Sequence, residues 1–138
     1  MSDLTWALRW LKRAQSDLLM ARYALEDIHP KQLEICCYEC QQAVEKALKA
    51  YLVYMDDSFP HIHDCRKLCF RCAEYDERFN DYADDCADIT PYATRARYPD
   101  DEEMDEPEAQ SALRKAGRVL AFCSELLAPT GGEYPHND

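Results

Sequence analysis

Lys46 and Lys49 stand three residues apart beside Gln42, and Arg95 and Arg97 form a second compact positive pair. Residues three or four apart share a helix face, so Gln42, Lys46 and Lys49 can present an amide and two ammonium groups together. If the two pairs meet in the fold, they make an anion site suited to a nucleotide phosphate or a partner's acidic surface. Arginine would supply a planar fork for phosphate oxygens and lysine a point charge. The other reading is two separate solvated patches, with Glu45 and Lys49 a helix-surface ion pair.

Cysteine and histidine offer a second kind of chemistry. Cys37 and Cys40 form one C-x2-C pair and Cys69 and Cys72 another, with His61, His63 and Cys65 between them. Four thiolates from two such pairs can hold zinc. Zinc ribbons place the pairs on tight turns, whereas both pairs here fall inside helical patterns. There Cys36, Cys40, Cys72 and Cys123 take slots that a small apolar residue would fill. The expectation is core-filling thiols, with no metal and no cofactor. His63 beside Asp64 could be an acid–base pair. With no nucleophile evident nearby, Asp64 is read as a helix cap and His63 as a packing residue.

The elements that position these groups are helical. The segment Ile35–Leu52 reads as one helix with a broad apolar side of Cys36, Cys40, Ala43, Val44, Ala47, Leu48 and Tyr51. Gln41, Gln42, Glu45, Lys46 and Lys49 fall on its polar side. An apolar arc that wide contacts two neighbours, so this helix should lie at the centre of a bundle. A first helix is expected over 3–28, its stripe Leu4, Leu8, Leu11, Leu18 and Leu25 continued through Gln15 and Arg22. Arg22 would sit at the edge of that stripe with its guanidinium in water. The second helix should cover 31–55 and pair antiparallel with the first. A third begins near His63 or Asp64. A fourth covers 80–96, kinked or divided by Pro91. The last begins near Pro107 and ends near Ala128. Tyr98-Pro99 reads as a loop that anchors an aromatic ring, and 129–138 as a mobile tail after a single domain over 1–128.

Composition narrows the function classes. The chain has 138 residues and a net charge of −11. A polyanion spread over the whole surface would be repelled, so general nucleic-acid binding is not expected. Acid is concentrated in 76–88 and 100–108, runs that read as solvated faces or loops; the second lacks the spacing of a calcium loop. No apolar run is long enough for a membrane span. The N-terminus lacks the apolar core of a secretory signal, which points to a cytoplasmic chain with reduced thiols. No stretch alternates as a strand would, so an all-α fold follows.

The order of motifs then resembles a known family. Ala14, Asp17, Leu18 and Ala21 read A-x-x-D-L-x-x-A in the first helix, and Gln41–Leu52 reads QQAVEKALKAYL in the second. HIHDCRKL (His61–Leu68), RARYPD (Arg95–Asp100) and the last helix follow in order. Together they resemble the HEPN domain family over nearly the whole chain. The resemblance implies an antiparallel up-and-down bundle of four to five helices, usually a homodimer. It marks Asp17, His63, Asp64 and Tyr98 as elements of the family's structural motifs. It also implies a partnership with a minimal nucleotidyltransferase in toxin–antitoxin-like modules, with nucleotide binding in some members and metal-independent ribonuclease activity in others.

Nuclease members of the family carry Arg-x4–6-His near the last helix, where arginine stabilises phosphate charge and histidine moves a proton. Here no histidine follows Arg95, Arg97, Arg114 or Arg118 at that spacing; the formal match is Arg22 with His29, at the end of the first helix. The expectation is a non-catalytic helical partner of a nucleotidyltransferase, with Gln42, Lys46, Lys49, Arg95 and Arg97 as ligand or phosphate contacts. The alternative is a ribonuclease toxin that uses residues outside the motif.

Overall fold

Alanine, not leucine, lines the innermost seam of the bundle. The computed structural model describes residues 3–59, 61–95 and 103–128, and among these there is no strand. Helix α1 spans Asp3–Glu26 and α2 spans Leu33–Tyr54. α1 buries Ala7, Leu11, Ala14, Ala21, Ala24 and Leu25, and α2 answers with Ala43, Ala47 and Ala50. Side chains this short let the two backbones approach closely, and α1–α2 is the most extensive contact in the fold. The expected leucine stripe is therefore displaced. Leu11 and Leu25 are buried, but Leu8, Gln15 and Arg22 are exposed and Leu18 is half-buried. The stripe straddles the edge of the core because the alanine positions lie a fraction of a turn to one side of it.

α2 lies between α1 on one side and the remaining helices on the others, as its wide apolar arc requires. It ends with Asp56 at φ 56°, whose N–H donates to Val53 O at 3.0 Å while Asp57 N–H donates to Leu52 O at 2.9 Å. These two bonds form a Schellman cap. The cap turns the Asp57 carboxylate toward Arg71 Nε at 2.9 Å and the Tyr75 hydroxyl, which ties the exit of α2 to the following helix.

Helix α3 spans Cys65–Ala73, and Asp64 caps it by accepting the Lys67 N–H at 3.0 Å, as expected. The single helix expected over 80–96 is replaced by a 3-10 turn (Glu77–Tyr82), α4 (Ala83–Ile89) and one turn of α5 (Tyr92–Arg95). Pro91 divides α4 from α5, since it cannot supply the N–H that a continuous helix needs. Helix α6 spans Glu106–Leu127, with Asp105 accepting the Glu108 N–H at 2.8 Å and proline in the first turn.

The direction of α6 follows from its end contacts. Lys31, just before α2, pairs with Glu106 at 2.7 Å, while Phe79 joins Tyr51 of α2 and Phe122 of α6 at ring distances of 4.8 and 4.9 Å. α6 thus runs parallel to α2 and antiparallel to α1. The broken segment from the 3-10 turn through α5 carries the chain back so that this is possible. The fold is all-α, as expected. Arg97, Tyr98 and the tail 129–138 lie outside the described residues.

The alanine seam leads to a stability prediction. Ala14→Leu should destabilise the chain by about 1–3 kcal/mol through overpacking. Ser16→Leu, at an exposed position on the same helix, should stay within about 0.5 kcal/mol. Urea unfolding of the two variants measures the contrast.

Candidate functional site

The polar side of α2 is largely inside the protein. Gln41 is fully buried, and Glu45 and Lys49 are 7% and 6% exposed. This corrects the expectation of an exposed face. The short segment before α3, with His63 and Asp64, lies across this side of α2 and covers it. Lys49 Nζ donates to Glu45 Oε2 at 2.8 Å, one helical turn away, with glutamate in the favourable N-terminal position. The same carboxylate oxygen meets His63 Nδ1 at 2.9 Å, and its other oxygen accepts from Gln41 Nε2 at 3.0 Å. Gln41 Nε2 also donates to the His63 carbonyl at 3.1 Å, and Gln42 Nε2 donates to Gln41 Oε1 at 2.7 Å.

Burial alone would raise the Glu45 pKa. Hydrogen bonds from Lys49, His63 and Gln41, with the charge on Lys49, outweigh that and hold the carboxyl below its usual range. Glu45 is therefore held as the carboxylate facing Lys49, and the cluster is a satisfied structural network. Lys49 Nζ also lies 5.8 Å from the centre of the Phe59 ring, a cation–π distance.

Lys46 differs from Lys49. It is half-buried and bonded to Asp17 Oδ2 of α1 at 2.6 Å. Asp17, expected as a motif residue of the first helix, thus ties α1 to α2. Arg95 pairs with Glu108 at 2.7 Å, and its charge acts on Cys37, near the start of α2. Cys37 lies nine residues before Lys46 and twelve before Lys49, about 13 and 18 Å along a helix axis. Arg95 and the two lysines thus do not meet, and the compound anion site drawn from the sequence is not assembled among the described residues. Arg22 and His29 are both exposed.

All eight cysteines are buried and free. Cys36 faces the Ala109 carbonyl, Cys72 the Leu48 carbonyl and Cys69 the Phe79 carbonyl, each from a neighbouring element. Burial pushes the Cys37 thiol up to about 12 and raises Cys65, Cys72 and Cys123 as well. Thiols held protonated and enclosed, as these four are, are poor nucleophiles and poor metal ligands. Among the described residues no three His, Cys, Asp or Glu side chains converge in a metal-holding arrangement.

The structure brings forward one group of residues not singled out in the sequence. Trp6, Arg9, Trp10 and Arg13 of α1, with Lys46 of α2 opposite, line an open cleft of about 360 Å³. Their spacing of i, i+3, i+4 and i+7 places all four α1 residues on one helix face. That spacing was present in the sequence, but tryptophan at helical intervals is ordinarily read as core.

A HEPN domain family model matches residues 7–126. The chain belongs to the HEPN family. Two solved structures share its architecture. TT1696 from Thermus thermophilus is 26% identical with a TM-score of 0.75, covering 86% of this chain and 96% of that one. ST0689, an archaeal HEPN homologue, is 24% identical with a TM-score of 0.68, covering 88% and 97%. No curated protein matches. In this HEPN chain the lysines and glutamine of the QQAVEKALK segment act mainly inward, holding α1, α2 and the approach to α3 together.

Two measurements follow. Lys49→Ala leaves the Glu45 carboxylate buried without its main partner and should cost about 3–5 kcal/mol; the double change Lys49→Met with Glu45→Gln should recover most of that in thermal unfolding. Because the folded Glu45 pKa is depressed, its contribution is complete above the unfolded value of about 4.3 and is lost as pH falls through the folded value. Glu45→Gln should therefore flatten the acid limb of a plot of melting temperature against pH.

Proposed function

We propose that this chain is a non-catalytic, homodimeric HEPN protein that serves as the helical partner of a small nucleotidyltransferase in a toxin–antitoxin-like module. Nucleotide or phosphate binding would be its ligand chemistry. The observation that carries the interaction role is the apolar surface left on α1. Leu19 is 63% exposed, and Leu8, Met20 and Tyr23 are exposed on the same helix. Apolar side chains of this size, gathered on one element, favour association over solvation.

Beside them, Gln15, Leu18, Leu19 and Arg22 of α1 and Gly117, Leu120, Ala121 and Ser124 of α6 line a shallow groove of about 440 Å³. A Cβ at Gly117 would meet no atom within 4 Å, so the groove floor is open at that point. Small residues there would let a helix of a second copy approach closely. The displaced leucine stripe of α1 supports the same reading, since its 3–4 spacing suits helix pairing beyond what α6 covers.

The nucleotidyltransferase partnership rests on family membership, and the inward use of Glu45, Lys49 and His63 supports a structural rather than a catalytic role for the motif residues. Light scattering should give twice the 16.1 kDa chain mass. Leu8→Asp with Leu19→Asp should give a monomer with unchanged far-ultraviolet circular dichroism. A nucleotidyltransferase encoded beside this chain should co-purify with it. Cleavage of structured RNA by the purified protein, abolished by Arg22→Ala, would replace this reading with the ribonuclease one.

A further inference from the structure

The cleft on the α2-facing flank of α1 combines two chemistries that rarely coincide without a ligand. Trp6 and Trp10 supply aromatic faces, and Arg9, Arg13 and Lys46 supply positive charge around them. Lys12 lies in an adjoining hollow with Arg9, Arg13 and Ser16. Four of the chain's 16 basic residues therefore gather at one spot on a protein of net charge −11.

Their charge is not neutralised locally. Among the described residues, Arg9, Lys12 and Arg13 form no ion pair. Lys46 is the exception, and its partner Asp17 fixes it in the opposite wall. An ammonium has three donors, so a bond to Asp17 leaves Lys46 others to offer.

The two rings are held differently. Trp10 is half-buried and set edge-on against Phe59, with ring centres 6.5 Å apart at 81°. Phe59 in turn lies under Lys49 of the buried network, so Trp10 is a fixed wall. Trp6 is 46% exposed, and the Arg9 guanidinium carbon is 5.2 Å from its ring centre. An exposed indole backed by a cation at the rim of a cleft is free to stack on an entering ring.

A ligand that satisfies both parts has a flat aromatic ring and an anionic group a few ångströms from it. We propose that this cleft binds a nucleoside phosphate of single-nucleotide size, with the base against Trp6 and Trp10 and the phosphate at Arg9, Arg13 and Lys46. A volume near 360 Å³ falls at the small end of ligand sites. The acidic remainder of the surface disfavours a longer polyanion. The proposal rests on the ligand part of the function proposed above, gives it a location, and is independent of the dimer and partner parts.

Both tryptophans of the chain are in the cleft, so tryptophan fluorescence, excited at wavelengths where tyrosine does not absorb, reports on this site. Titration with AMP should quench it saturably, while adenosine and ribose 5-phosphate, each lacking half of the ligand, should bind far more weakly. Trp6→Ala should weaken AMP binding by about 5- to 150-fold in calorimetry, the range for loss of one base stack. Arg13→Ala should weaken AMP while leaving adenosine unchanged, and Arg114→Ala on α6 should change neither. Circular dichroism and light scattering of each variant separate a lost site from a lost fold.

Calorimetric AMP binding that leaves the fluorescence unmoved and survives Trp6→Ala and Arg13→Ala would overturn the cleft but keep the ligand reading. No AMP or GMP binding by either method at millimolar concentration would remove both. A short oligoadenylate that binds much more tightly than AMP would overturn the single-nucleotide assignment in favour of a strand.

Discussion

Burial of α2 on nearly all sides is the constraint from which the rest of the structure follows. Thirteen of its 22 residues are buried, against six of 24 in α1. A helix enclosed to that extent has little solvent face left for polar residues. Its polar positions must either be satisfied by internal partners or be absent. Gln41, Glu45 and Lys49 find those partners in one another and in the His63 segment. The covering segment is in turn held where it is because it supplies His63 and caps α3 through Asp64. Burying an ion pair gives little net stability compared with a well-packed apolar pair, but it makes displacement of either partner costly. The network thus fixes the register of the α2–α3 connection more than it adds to the depth of the energy minimum.

The same enclosure explains the unusual cysteine content. α2 must be approached closely by several elements, which requires small side chains on every flank. α2 buries Ala43, Ala47 and Ala50, while cysteine lies at its contacts with α6, through Cys36, and with α3, through Cys72 of that helix. A thiol occupies little more room than a methyl group and can reach a neighbouring helix carbonyl, as Cys36 and Cys72 do. Spacing that looks like a metal motif arises because residues three and four apart on a helix line one seam.

The fold was legible where periodicity is strong. The two long N-terminal helices, the Asp64 cap, the break at Pro91 and the start of α6 at proline all follow from local chemistry that tertiary contacts did not override. The core face of α1 was not, because large leucines outrank alanines in any reading of hydrophobicity, while the deciding quantity was the distance between backbones. The polar side of α2 misled for a related reason. A glutamate and a lysine one turn apart look the same in sequence whether water or a covering loop lies over them, and the loop's position depends on contacts between residues about twenty apart. The candidate cleft depends on Lys46, whose placement opposite α1 is fixed by Asp17, 29 residues earlier, and such a pairing is not visible in a single helix.

These features leave α1 rather than α2 as the surface on which the proposed recognition would take place. α2 carries the family's most recognisable residues, but their charges are engaged in holding helices together, so α2 offers a ligand little beyond Lys46 and Gln42. α1 is the opposite case. Its inner seam is satisfied by six small or apolar residues, and most of its remaining circumference is exposed. One flank, toward α2, is aromatic and cationic; the other, toward α6, is apolar with an open groove. The two flanks lie on opposite sides of the buried seam, so a second copy seated on the α6 side would leave the cationic flank open. A single amphipathic helix can therefore carry association and ligand binding at once, provided that its core contact is as narrow as the alanine seam makes it.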